Sequence, residues 1–513
     1  MDRVKKIGVA MVILLLLVWC IWALVVPSWQ QRAAHNLDAI HQAIEELHPA
    51  VLEPDANAFH AWHTQGYEQA KALLPLVKNL NDEQALLRFY FAGYEEPHLG
   101  GNSQYLPDAP IFLRNLSFKL LAPSPQWLGW SLKYTPAGYK VIYSLNDGQT
   151  PPVGATLLSC DGVAIDTLLQ QHFSPYFDRR WQVPIAKNHA ARALAINDQY
   201  TSVLNRPTLK SCEFSLASGI VKHFPLQWRK LDSQTSDAVY KLYSSTYVLP
   251  SVKEISPKHY WINASDFMLG TKEAYAAQQA LIEKLTTLTD AELVVFDLRA
   301  NGGGSSKNGI DLLAVFGAEN GKYFEQQFAA KFAGANAQFR VSQRLLWSYE
   351  AMLSERRKVQ VESSGDALML TQMVSKFGDE LKQHHTHIWQ SELLGGTSIS
   401  NQQDASVAWH FNGRVVLVTD QACVSACLDF VDMMKFIPDL LHVGETTNGD
   451  TVYTQVTPQR ENYAYEQLDF IVPIKKWNKR LRADNQPYVP DILYEGDMNN
   501  TEALQKWVLE QVR

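Results

Sequence analysis

The chain has 513 residues, too many for one compact hydrophobic core, so several domains are expected. Its formal net charge is −7, from 46 Lys and Arg against 53 Asp and Glu, which gives no electrostatic case for nucleic acid as a partner. The five cysteines include no Cys-x-x-Cys pair, so the common zinc and dithiol motifs are absent, and no fixed-period repeat runs along the chain.

At the N-terminus Arg3, Lys5 and Lys6 precede an uncharged apolar run over residues 7–26, long enough to cross a bilayer as one helix. The basic flank predicts a cytoplasmic start and an outside location for everything after Pro27. A cleaved signal peptide is the competing reading. It would need small residues at the cut, and Trp19, Trp22 and Trp29 crowd that end instead. The expectation is a single-pass anchor in the inner membrane (residues 1–27), with the bulk of the chain in the periplasm or another extracytoplasmic space. Disulfides are permitted there; Cys160–Cys212 and Cys423–Cys427 are candidate pairs, and free thiols are the alternative.

Residues 32–95 read as helical. Leu37, Ile40, His41 and Ile44 recur at i, i+3, i+4 and i+7, and residues 70–80 repeat the theme, giving an N-terminal helical domain at 28–103. It ends in Glu96-Pro97-His98-Leu99-Gly100. Residues 104–185 form a β domain with an alternating strand at 139–143 and a turn at Asp161-Gly162, and residues 186–256 add short strands that lead to the core.

The core, residues 257–513, opens near 259–263 and continues with a helix at 272–288. A buried strand at 293–298 and a helix at 309–316 flank Asn301-Gly302-Gly303-Gly304. Those glycines lack the order and the lysine of a phosphate loop, so no nucleotide is expected. Residues 318–405 look inserted, with helices at 343–357 and 368–381. His384, His385 and His387 follow them and read as a solvated helix end; no metal or cofactor is expected.

The stretch 413–451 organises the rest. Val415-Val416-Leu417-Val418 is a short apolar strand, and Cys427, Val431 and Met434 mark one face of a helix that Pro438 stops. A second strand at 440–443 and a loop at 444–450 follow. Ser425 therefore sits where a buried strand turns into a helix N-terminus, a point at which unpaired N–H groups converge. That position suits a nucleophile beside an oxyanion site, and it equally suits a helix N-cap; local pattern leaves both open.

The strand, the S-A-C-L-D-F-V-D turn and helix, and H-V-G-E-T-T-N-G-D together resemble the nucleophile segment of the C-terminal-processing (tail-specific, tricorn-like) serine peptidases. Upstream, Asp297-Leu-Arg-Ala-Asn-Gly-Gly-Gly resembles that family's D-L-R-x-N-x-G-G element. The resemblance covers most of residues 90–495. It implies a multidomain α/β architecture: a transmembrane helix, the helical N-terminal domain, a PDZ-like domain and a ClpP/crotonase-like catalytic core carrying the helical insertion.

It also implies site residues. One branch of the family uses a lysine that ends the G-E-x-T-x-G-K pattern; that position here is Asp450, which excludes a Ser–Lys dyad of that type. The other branch places a histidine at the end of the N-terminal segment and a carboxylate in an E-G-x-G-V-x-P-D motif. His98 and Asp484, the latter in Asp484-Asn-Gln-Pro-Tyr-Val-Pro-Asp491, take those places. The implied assignment is Ser425 as nucleophile, His98 as general base and Asp484 as its orienting acid, with the N–H groups of Gly303 and Ala426 as the oxyanion hole. Leu128, Gly129 and Trp130 stand where a PDZ domain grips a peptide carboxylate, so the resemblance implies a polypeptide substrate that this domain could hold by its C-terminus; a structural spacer is the alternative reading. The rival reading is an inactive relative that only binds peptides, motivated by the departures at Pro97, Asp450 and Asp484.

Overall fold

The computed structural model describes residues 27–107, 124–198, 200–316, 320–359, 365–394 and 407–512. The apolar run at 7–26 lies outside the described residues, and no described helix is long and apolar enough to cross a membrane.

Six strands make the core sheet, in the order Ser251–Ser256, His259–Asn263, Leu293–Asp297, Arg414–Thr419, Leu441–Gly444 and Ile492–Leu493. The first pairing is antiparallel and the other four are parallel. Such a sheet must be covered on both faces, and alternate residues of the central strands serve two separate cores. Val294, Phe296, Val415 and Leu417 pack on one face with Leu312, Leu428 and Val431 from the helices Ser306–Val315 and Ala426–Met434. Leu293, Val295, Val416 and Val418 face the other way, against Leu504 and Val508 of the C-terminal helix Thr501–Gln511. The strand-turn-helix units expected at 293–316 and 415–434 are both present, side by side in one sheet.

The N-terminal helices share their hydrophobic core with later parts of the chain. Leu37, Ile40 and Ile44 of helix Trp29–Leu47 share one core with Phe339, Phe377 and Ile388 of the insertion and with Leu468, Phe470 and Val472 of a long hairpin. That hairpin, Tyr453–Tyr463 and Glu466–Trp477, joins a sheet with Gly100–Tyr105, Ala337–Arg340 and His387–Trp389. The insertion is thus woven into a second structural unit. The helix expected at 70–80 is also displaced. Pro75 sits in a single 3-10 turn, Leu74–Leu76, and the long helix starts afterwards as Leu80–Ala92, capped by the Asn79 side chain.

A third unit extends beyond residue 185, since the strands expected to link it to the core belong to its own sheet. Trp130–Thr135, Gly138–Ser144, Thr156–Cys160, Ser211–Ser215 and Val221–Pro225 pair in sequence, all antiparallel. Cys160 and Cys212 face each other in register and are joined as a disulfide. A second disulfide, Cys423–Cys427, brackets Ser425.

Candidate active site

Ser425 is the N-cap of helix Ala426–Met434, yet its side chain makes no capping hydrogen bond. Its backbone sits at φ 58°, ψ −124°, a conformation that costs a non-glycine residue energy and persists only where neighbours enforce it. The neighbours are identifiable. Asp420, buried at the end of strand Arg414–Thr419, accepts the N–H of Ala422 and that of Ala300, each at 2.9 Å. The Cys423 carbonyl accepts from Asn448 N–H at 3.1 Å, and the Cys423–Cys427 disulfide closes the bend. The cap reading therefore fails, and a half-buried, sharply turned serine remains.

The glycine turn lies directly on this elbow. A Cβ on Gly303, whose φ is +95°, would stand 2.8 Å from the Val424 carbonyl oxygen and 2.9 Å from Ser425 Cβ, so only glycine fits. Gly303's own N–H donates to Asn301 Oδ1 at 2.9 Å, and Asn301 Nδ2 in turn holds the Ala264 carbonyl at 2.6 Å. The Ala426 N–H, first in the helix, has no acceptor among the described residues. Of the two expected oxyanion donors, Ala426 is free and Gly303 is engaged.

His98 is buried in the turn that follows helix Leu80–Ala92. Its Nδ1 bonds Glu96 Oε1 at 2.9 Å, and its backbone N–H donates to the same oxygen at 2.8 Å. Nε2 is buried without a partner among the described residues. Burial alone would lower the imidazole pKa; the Glu96 bond and the charges of Glu96 and Asp450 outweigh burial and opposition from Arg480, and raise it above 6.5. The carboxylate bonded to His98 is therefore Glu96, while Asp484 is exposed and accepts the Val452 N–H at 2.9 Å. The motif comparison passed over Glu96, which lies only two residues before the histidine, where a local turn brings the two together.

Behind this pair stands a buried polar network. Thr451 Oγ1 donates to Glu96 Oε2, and the neighbouring Asp450 is gripped by Arg480 and Arg482. The two arginines, placed by sequence beside Asp484, serve Asp450 instead. Asp450 is held below the usual carboxylate range because the two guanidiniums overcome the effect of burial. The third unit braces the same loops. Arg180 Nη1 donates to the Gly449 carbonyl at 2.7 Å and Asn448 Oδ1 at 3.1 Å, and Asn188 Nδ2 reaches Gln421 Oε1 at 2.5 Å.

Leu128, Gly129 and Trp130 do not line an open groove. Leu128 and Trp130 are 3% and 1% exposed inside the third unit's core. The Leu128 N–H donates to Ala195 O at 2.9 Å, and Gly129 O accepts from Leu145 N–H at 3.0 Å. The Leu128 N–H, one of the donors that would grip a carboxylate, is thus used internally. His385 pairs with Glu380 at 2.6 Å on the surface, and among the described residues no cluster of three or more His, Cys, Asp or Glu is arranged to hold a metal ion.

Residues 261–488 match the model of Peptidase family S41. Among solved structures, mature CPAF is similar over 93% of this chain and 96% of its own, with TM-score 0.56 and 12% identity. Mature CPAF complexed with lactacystin gives TM-score 0.53 at 12% identity over 93% and 98% of the two chains. These likenesses show a shared fold. The tricorn protease is similar at TM-score 0.33 and 13% identity, over 94% of this chain and 36% of its own, and nothing rests on it. No curated protein matches the chain significantly.

Proposed function

From the premise that the chain carries a family S41 peptidase domain, and is thereby a serine-type peptidase acting on polypeptides, we propose that it is a membrane-anchored, extracytoplasmic endopeptidase whose nucleophile is Ser425 and whose base is His98. The observation that carries this reading is the elbow itself, a serine held at positive φ, without a capping bond, between a free helix N-terminal N–H and a glycine turn that admits no side chain. His98 Nε2 takes the Ser425 proton as Oγ attacks the peptide carbonyl, then returns it to the leaving amine. Glu96, on Nδ1, holds the ring in the tautomer that leaves Nε2 as acceptor and stabilises the imidazolium, the role first sought in Asp484. The oxyanion draws on the Ala426 N–H, with Gly303 joining once the Asn301 bond yields. A preorganised donor of this kind contributes about 3 kcal/mol to the transition state.

The finer reading of the scaffold is a ClpP/crotonase-like core, a degenerate PDZ-like third unit and an anchor at residues 1–27. The apolar run and its basic flank support the anchor and its orientation. Treating full-length protein in detergent with a fluorophosphonate, and incubating it with unfolded polypeptides beside a Ser425→Ala control, tests the chemistry. Labelling confined to Ser425 and cleavage abolished by Ser425→Ala are expected; cleavage that survives Ser425→Ala refutes it. Mass spectrometry of the membrane-extracted protein tests the anchor, since a mature N-terminus near Ser28 means a cleaved signal.

A second reading, an inactive relative that only binds peptides, draws on one observation: among the described residues no hydrogen bond joins His98 Nε2 to Ser425. The same labelling experiment separates the two, because an inactive relative leaves Ser425 unlabelled.

A further inference from the structure

Base and nucleophile stand more than 300 residues apart in sequence, and one side chain spans the gap between their supports. The Arg482 side chain is 2% exposed. Its Nη2 donates to Asp429 Oδ1 at 2.9 Å and its Nη1 to Asp432, both on the helix that begins at Ser425. Its Nε and Nη2 each reach Asp450 at 3.1 Å, on the loop whose next residue, Thr451, donates to Glu96. Arg480 holds the same loop through Asp450 and the Thr451 carbonyl. We infer that Arg482 is a positioning residue for the peptidase reaction, pinning the Glu96–His98 turn to the Ser425 helix through Asp450 and Thr451. The inference rests on the Ser425–His98 reading above.

Two physical arguments favour a positioning role over general stability. Burying a guanidinium with two carboxylates, Asp432 and Asp450, is costly, and pairs of this sort are often matched or surpassed by apolar packing of equal volume. What they supply is geometry, since a planar fork fixes the angle between two helices or loops in a way a methyl contact does not. The network also reaches the base electrically. The charged groups acting on His98 are Glu96 on its own turn and Asp450 and Arg480 from the neighbouring loops, and the same Glu96 charge also acts on Tyr94 and Asp484. Asp450 stands where a catalytic lysine would stand in the other branch of the family resemblance, so here a buried anion faces the base.

The test measures the fluorophosphonate labelling rate of Ser425 against pH in full-length protein. Three variants are compared with the parent and with His98→Ala. Arg482→Lys keeps the charge and loses the fork, and labelling should fall about tenfold or more. Asp450→Asn keeps the shape and removes the negative charge, so the inflection of the rate with pH should move down by about half a unit or more. Thr451→Val removes the hydroxyl that shares Glu96, leaving its charge more fully on the ring, so the inflection should move up. Damage that is merely structural has no reason to move the inflection in opposite directions. If Arg482→Lys does not fold, the other two variants decide. Folded variants that keep the parent's rate and inflection overturn the positioning role while the Ser425–His98 reading stands. If His98→Ala labels as fast as the parent, the base assignment itself fails and this inference with it.

Discussion

Glu96 Oε1 accepts two bonds from His98, the backbone N–H at 2.8 Å and Nδ1–H at 2.9 Å, so one carboxylate fixes both the turn and the tautomer of the ring. Nε2 is left as the acceptor, the state a general base requires. Glu96→Gln should therefore lower kcat by about 10²- to 10⁴-fold with little change in KM, the pattern of an interaction made chiefly in the transition state. Asp484→Asn keeps an acceptor for the Val452 N–H and should stay within about threefold of the parent. Steady-state kinetics of the two variants side by side check the exchange of roles; the reverse ranking would restore Asp484.

The raised pKa of His98 has consequences of definite sign. Catalysis needs the neutral ring, so kcat/KM should rise with pH through an inflection above about 6.5. Stability runs the other way. A histidine whose folded pKa is raised contributes stability that is fully present below its unfolded value of about 6.5 and lost as pH climbs through the folded one. The melting temperature should thus decline across the interval in which activity rises, and His98→Gln should flatten that decline. A melting curve series at pH 6, 7, 8 and 9 on parent and variant measures it.

Gly303→Ala places a methyl 2.8 Å from the Val424 carbonyl oxygen at a φ of +95°. The elbow or the glycine turn must shift, at a cost of about 1–3 kcal/mol in stability. Displacing the oxyanion donors should reduce kcat about 10²-fold or more while the protein still melts cooperatively. Near-parental turnover in folded Gly303→Ala would remove this turn from the catalytic centre.

The Cys423–Cys427 disulfide joins the residues two positions before and after Ser425, both fully buried. Its loop is too short for a large effect on the unfolded chain, so its contribution should appear in the position of the serine. Cys423→Ser with Cys427→Ser should leave the fold intact and slow fluorophosphonate labelling about 10- to 100-fold. Equal labelling rates with and without the bridge would show that Asp420 and the Asn448 contact suffice to hold the bend.

Much of this centre was legible along the chain because it is built from local signals. Val415 to Val418 could only be a buried strand, the spacing of Cys427, Val431 and Met434 only a helix, and the junction between them had to hold Ser425. Gly303 announced itself as one of three glycines after a second buried strand. Motif order pointed to His98, although its companion Glu96, in the same five-residue turn, was passed over.

What local pattern determined, then, was the pair of strand-turn-helix units and the residues at their tips, since strand alternation, helical period and turn chemistry are properties of neighbours in sequence. Tertiary structure alone decided the partners. Asp450 draws Arg480 and Arg482, Glu96 draws Thr451, the insertion shares its core with Leu37 and Ile40, and Leu128 and Trp130 disappear into their own domain. A buried charge must be matched by whichever opposite charge or donor the fold brings within about 3 Å, and a burial site accepts whichever apolar face arrives, so neither choice is written in the spacing of residues along the chain.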